Sequence, residues 1–349
     1  MIHIDGSAKS GSGTVLRYAV ALASLLGEEL RITDIRAKRD KPGLRPQHLA
    51  AVKACAEIAG ARVTGAEVGS REMFYRPGKT LRGGDYRWEI GTAGSTTLLT
   101  MMLLPVAVFA GGETVFEATG GLFQDFAPSA HHMQNVLFPT LAKMGVEAEM
   151  QILRPGYVPG GGGTIRVRIR PVDRQVGPIS LPEQGKVISI KGLSLSSHLR
   201  EQKVSQRMAE ECQRLLSEKG YGASIETVYD DSAPQAGASL AVWAETDSGC
   251  LLGSDQAGKR GRRSESIGRW VADNLLADLT TGATVDRFLA DQLVIYAALA
   301  DGVSEYVIPA LTDHVDANLW LVEEFGARTR LDGNRLFIEG IGYGKRGKP

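Results

Sequence analysis

Apolar and polar positions along the chain fall into a recurring order. The runs AVALASLLGEELRITDI, MLLPVAVFAGGETVFEATG and VIYAALADGVSEYVIPAL each read as an apolar helix, a small-residue stop and a strand, with stop glycines at Gly27, Gly111 and Gly302. A second helix-like run follows in each case: LAAVKACAEIAGARVTGAEV, MQNVLFPTLAKMGVEAEMQI and LWLVEEFGARTRLD, stopping at Gly60, Gly145 and Gly326. From Gly27 to Gly111 is 84 positions and from Gly60 to Gly145 is 85, which marks an internal repeat. Each copy predicts β-α-β-α-β-β, with glycines expected as left-handed helix caps and closing strands that alternate, as in TIRVRIRPV. One copy cannot cover its own apolar sheet face, so the copies are expected to pack helix layer against helix layer in an α+β fold.

The third copy is interrupted. KVISIKGLSL, residues 186–195, reads as its opening strand, while its helices resume near Val285. The intervening chain reads as helix, strand, strand, helix, enough for a small α/β domain. The expected division is a large repeat-built domain over 1–184 and 281–349, with a small inserted domain over 185–280.

Composition narrows the classes. The chain has 349 residues, 43% hydrophobic and 23% charged, with 40 basic against 40 acidic side chains. A formal charge of zero excludes a global basic field, so any nucleic-acid contact must come from a local patch. Cys55, Cys212 and Cys250 make no metal or redox spacing and read as buried thiols in a reducing, cytoplasmic setting. No signal peptide opens MIHIDGSAKS, and no apolar run is long enough to span a membrane.

Several stretches could carry chemistry. DGSAKSGSGTVLR, 5–17, is a glycine- and serine-rich loop between strand and helix that could present N–H groups to phosphate, with Arg17 pointing back toward it; no GK[ST] ends it, so it is not a Walker motif. In IRAKRDKPGLRPQHLAAV, 35–52, Arg36, Lys38, Arg39, Lys41 and Arg45 crowd into ten residues, with Gln47 and His48 opening the next helix. Such a run is usually a solvated loop; its functional reading is a phosphate or RNA site. The basic loop GKRGRRSES, 258–266, is read as a solvated turn, and His131 with His132 as a surface pair, since adjacent residues point different ways on a helix. In VDRFLADQLVIYAALA, Asp291 and Gln292 interrupt an apolar helical run with Phe288 nearby; inward polar groups need partners, and a ligand would supply them. In TDHVDANLWL, 312–321, His314 stands between Asp313 and Asp316 at a helix start. A lone histidine there is more often a solvated or capping side chain, but a helix N-terminus also gathers phosphates.

Together, DGSAKSGSGTVLR, RAKRDKPGLRPQHLAAV, RGGDYRWEIGTAGSTTLL, TGG with the following AP, GYVPGGGG, GSDQAG, FLADQL and the His314 helix resemble the RNA 3′-terminal phosphate cyclases over essentially the whole chain. PGLRPQHL and LADQL are the specific runs. The resemblance implies ATP-dependent adenylylation of a histidine, transfer of AMP to an RNA 3′-phosphate end, and closure by the neighbouring 2′-hydroxyl to a 2′,3′-cyclic phosphate. By that resemblance His314 is the nucleophile, and Phe288 and Pro128 enclose the adenine. Leu289, Ala290, Asp291, Gln292 and Met101 join the nucleotide site, and Arg17, Arg36, Arg39 and Gln47 hold phosphates. A divalent metal, magnesium or manganese, is implied as well, and a homodimer is left open.

The chain departs from the family pattern where GEGGGQ is replaced at the matching positions by Ser10 and Thr14, so the metal ligands stay unassigned and the ion would rely on ATP phosphates, water and Asp291. Met101 replaces a glutamine, Phe288 a tyrosine, and LFQD, 122–125, a TDNP-like segment. Two other readings differ in class. One is a non-catalytic RNA-binding or assembly factor on the same scaffold, favoured by Ser10 and disfavoured by His314. The other is an enolpyruvyl transferase, whose six similar units would need about 420 residues or more.

Overall fold

In the computed structural model, which describes residues 1–344, the alternating segments form four four-stranded mixed sheets flanked by helices. The first sheet contains β1 (Ile2–Asp5), β2 (Leu30–Thr33), β3 (Arg62–Thr64) and β4 (Met73–Arg76) in the order β1-β2-β4-β3. Its helices are α1 (Gly13–Leu26) and α2 (Pro46–Ala59). The second contains β5 (Gly84–Glu89), β6 (Thr114–Gly120), β7 (Glu147–Arg154) and β8 (Gly163–Arg170) in the order β5-β6-β8-β7. With it go α3 (Thr96–Ala107), α4 (Ala130–His132), a π-turn over Met133–Leu137, and α5 (Phe138–Ala142). After β9 (Ser180–Leu181) come β10 (Val187–Ser197), α6 (Val204–Glu218), β11 (Ala223–Tyr229), β12 (Gly237–Thr246), β13 (Leu251–Ala257) and α7 (Ser264–Thr280). These four strands make the sheet β11-β10-β12-β13, with α6 and α7 packed on it. The chain then gives α8 (Leu289–Gln292), α9 (Val294–Leu299), β14 (Val303–Val307), α10 (Asp313–Glu324), β15 (Arg328–Asp332) and β16 (Arg335–Glu339), and β14–β16 join β9 as β15-β16-β14-β9.

Local chemistry explains these boundaries. Ser12, extended at φ −97°, accepts a hydrogen bond from the Thr14 N–H and starts α1, while Gly27 ends it at φ 66°. Gly60 ends α2 in the same way at φ 58°. Side chains alternate buried and exposed along β4 and β8, so one sheet face is covered and the other meets water. α1 is buried along almost its whole length because α2, α3 and α10 surround it. That layer of helices brings residues far apart in sequence to one place. Among the described residues no helix is long and apolar enough to cross a membrane.

Several expectations need correction. The run 186–195 does not open the sheet of β14: from Val187 on it belongs to β10, hydrogen-bonded between β11 and β12, and β9 takes that place parallel to β14. The intervening chain also has more strand than expected, because ASLAVWAETDSGCLLGSDQAG folds into the antiparallel pair β12–β13. Gly111 is not a left-handed cap. α3 gives way at Val108, which stays right-handed, and the Gly111 N–H donates to Leu81 O at 3.0 Å. His131 and His132 are not a surface pair: both lie in α4 and both are buried.

Candidate active site

α10 begins where Thr312 Oγ1 accepts the Val315 N–H at 3.2 Å, with Asp313 and Asp316 in the first turn, where carboxylates suit the helix dipole. Asp316 also pairs with Lys9 Nζ at 3.1 Å, tying the first loop to this helix. One turn beyond His314, Asn318 is buried. Its Nδ2 donates to Asp291 O at 3.0 Å, and its Oδ1 accepts from Thr14 Oγ1 at 3.1 Å. Positions four apart share a helix face. His314 is therefore held toward α8 and the start of α1. Its ring is open to solvent, yet surrounded closely enough that lost hydration, then the cations Arg17 and Arg39, lowers its pKa. A neutral imidazole, available as a nucleophile, is the result.

His314 borders a cavity of about 520 Å³ that also takes in Arg17, Met101, Pro128, Phe288, Asp291 and Gln292. Arg17 is buried, with its Nε unpartnered among the described residues; burial pulls its pKa down while nearby Asp291 opposes that shift. Gln292 is buried too, and both polar atoms of its amide lack a partner among the described residues. Burial pushes the Asp291 carboxyl up to about 7 against the pull of Arg17. Buried polar groups of this kind are costly unless something satisfies them. A cation, an amide and an imidazole around one cavity suit an anionic ligand with hydrogen-bonding groups.

Phe288 and Pro128 are two apolar walls of the cavity, and both are braced from behind. Asp286 Oδ1 accepts the N–H groups of Phe288 and Leu289, each at 2.8 Å, and its Oδ2 meets His132 Nε2 at 3.0 Å and accepts the Gly253 N–H at 2.7 Å. Burial alone would raise Asp286 and lower His132, but their pairing reverses both directions. The His132 ring also stands edge-on to Phe288. On the other wall, Thr97 Oγ1 donates to Pro128 O at 2.8 Å and Asp255 Oδ2 accepts the Ser129 N–H at 2.6 Å. At the rim Arg262 grips Asp125 through two hydrogen bonds of 2.9 and 3.0 Å, so the loop at 258–266 is more than a solvated turn.

The other expected residues lie around this cavity without lining it. Leu289 and Ala290 are fully buried core, and α8 and α9 are two short helices where one was expected. Arg36 holds its own loop together, donating from Nη1 to the carbonyls of Lys41 and Gly43 at 2.8 and 2.9 Å. Arg39 is exposed but close enough to act on His314, and Arg36 close enough to act on Arg17. Gln47 Oε1 accepts the Ser95 N–H at 3.2 Å. His48, buried beside Arg17 and Arg36, is lowered to about 3 by burial first and those cations second, and remains neutral. A Cβ at Gly13 would lie 2.3 Å from His48 Nε2, so any larger residue there would displace that imidazole.

Sequence reasoning missed Asp255, Arg262, Trp270 and Arg287, which line the same cavity. The available signal was GSDQAG, in which an acid sits within a strand otherwise expected to be buried. Ser10 faces its own loop, its Oγ donating to Ser12 Oγ at 2.9 Å. Among the described residues no three His, Cys, Asp or Glu side chains converge as a metal site.

The model of the family described as RNA 3′-terminal phosphate cyclase matches residues 8–330. A protein of that name from Pyrobaculum aerophilum is 36% identical over 349 residues, covering 99% of each chain. Those from Pyrococcus furiosus and Thermococcus onnurineus are 39% and 41% identical, each over 93% of both chains. Among solved structures, the enolpyruvyl transferase NikO from Streptomyces tendae is similar at a TM-score of 0.41 and 12% identity, over 95% of this chain and 47% of that one, a likeness too slight to inform fold or function. Identity sustained along the full chain carries the assignment that its cavity and first loop suggest: this protein belongs to the RNA 3′-terminal phosphate cyclase family.

Proposed function

We propose that this protein uses ATP to convert an RNA 3′-terminal phosphate into a 2′,3′-cyclic phosphate. In this reading an unprotonated nitrogen of His314 attacks the α-phosphorus of ATP, the bond to the bridging oxygen breaks, and pyrophosphate leaves. The RNA 3′-phosphate takes AMP from the imidazole. The neighbouring 2′-hydroxyl then attacks that phosphorus, losing its proton as AMP departs. The observation that carries the reading is the convergence of His314, buried Arg17 and unpartnered Gln292 on one cavity with apolar walls at Phe288 and Pro128. Arg17 would stabilise charge on the transferring phosphoryl group, and Asn318 would hold α8 and α10 in register. Arg36, Arg39 and Gln47 would meet the RNA phosphate beside the cavity. No step is assigned to a metal.

The same reading takes the sheets of β1–β4, β5–β8 and β9 with β14–β16 as three copies of one unit, since each has the order first-second-fourth-third. Residues 1–184 and 281–349 would be the large domain and 185–280 an inserted one. Three free, buried cysteines support a reducing, cytoplasmic setting. The test is incubation with α-labelled ATP, followed by mass analysis and discharge with RNA ending in a 3′-phosphate. The expected outcome is one AMP per chain, absent in His314→Ala and released as cyclic-phosphate RNA forms. A labelled His314→Ala protein would sink the mechanism. A correctly folded wild type that never labels would point to an RNA-binding role instead.

A further inference from the structure

We propose that Phe126 stacks on the last base of the RNA strand at the mouth of the cavity, while the cations of residues 259–263 hold the strand's phosphates. This rests on the RNA reading above and places a contact outside the nucleotide walls. Phe126 borders the cavity, yet it is fully exposed, and its backbone sits at φ 66°, a left-handed conformation that favours glycine. An apolar ring in water on an unfavourable backbone is costly twice over. The ring is not there because its loop is slack. Arg262 binds Asp125 through two hydrogen bonds, while Thr97 holds Pro128 O and Asp255 holds the Ser129 N–H, so the chain is fixed on both sides of Phe126. A ring that helped to enclose the adenine would be covered on one side by the cavity wall. Phe126 is covered on neither, so it is presented to something that arrives from outside.

Cations gather on the same rim. Lys259, Arg260, Arg262 and Arg263 fall within the five residues 259–263, and all but Arg262 are exposed. Arg262 first, and Lys259 after it, hold the Asp125 carboxyl below its ordinary value, which sets this loop against the segment that carries Phe126. A protein partner would need an apolar patch around the ring, but its neighbours are Gln124, Asp125 and these cations. An open aromatic ring beside a positive loop is instead the composition that takes single-stranded nucleic acid, with a base on the ring and phosphates on the cations. Because the chain as a whole carries no net charge, such a contact has to be local, and this rim adjoins the cavity where the RNA end would react.

The experiment is binding of a labelled single-stranded oligoribonucleotide ending in a 3′-phosphate to the full chain, beside the same strand lacking its last base. Wild type, Phe126→Ala and Phe126→Trp are compared, and protein–AMP formation from ATP alone is followed in the same preparations. Wild type should bind the strand with its base about fivefold or more tightly than the strand without it. Phe126→Ala should bind both strands about equally, and Phe126→Trp, which keeps a stacking ring, should keep the preference. Wild type that makes no distinction overturns the assignment, as does Phe126→Ala that retains it. A variant that needs more ATP for labelling while its preference between the strands is unchanged gives the ring to the nucleotide, and overturns it too. Wild type that prefers the complete strand through Phe126 but never forms protein–AMP upholds the stacking and fails the catalytic reading. A chain that binds neither strand overturns both.

Discussion

Asp291 shows how one residue in the cavity sets a pH dependence. Its carboxyl is pushed up to about 7 by burial from an ordinary 3.8, so between those values the native chain keeps a proton that the unfolded chain has released. The associated stability is fully present below 3.8 and is lost as the pH rises through about 7. Asp291→Asn should therefore gain on wild type as the pH climbs, by on the order of 4 kcal/mol at the plateau, from a difference of about three pKa units. Urea unfolding at pH 4 and pH 8 checks this; an equal difference at both would refute it. Arg17 drew attention in sequence because it follows the glycine- and serine-rich loop of 5–17, and Gln292 and His314 because FLADQL and the helix after Pro309 place polar groups in otherwise apolar periods. His132 was not legible, since adjacent histidines carry no periodic signal and its burial depends on Asp286, 154 positions away in sequence.

At the scale of elements, α10 depends on its cap. Thr312→Ala removes the bond to the Val315 N–H and should cost about 1 kcal/mol. Because His314 is two residues on, the proposed protein–AMP formation should fall more steeply than global stability; chemical denaturation and labelling of the same preparation measure both, and a proportional loss would mean that the cap only stabilises. Helices with strong apolar periods were readable, as was the closing hairpin of β8. The exchange of β9 for β10 was not, because a two-residue strand has too few positions to alternate, while an eleven-residue strand reads as strand wherever it pairs. Pairing partners are set by tertiary contact, which no local pattern encodes.

At the scale of the molecule, the cavity is closed by Asp255, Arg262 and Trp270 from the β10–β13 unit as well as by Arg17, Phe288 and His314 from the other sheets. A ligand seated there bridges both. ATP at a hundred times its dissociation constant should stabilise the protein by about 2.7 kcal/mol. Calorimetry should show the transitions of both units rising together, and a shift confined to one would contradict a shared site. The spread of this cavity along the chain also bears on how the protein is made. Synthesis runs from the N-terminus, so the buried cation at Arg17 is made well before the imidazole at His314, which lies 297 positions further along. On the proposed mechanism, a product cut short before α10 would retain the first loop and Arg17 but lack the attacking imidazole, and so would form no protein–AMP bond.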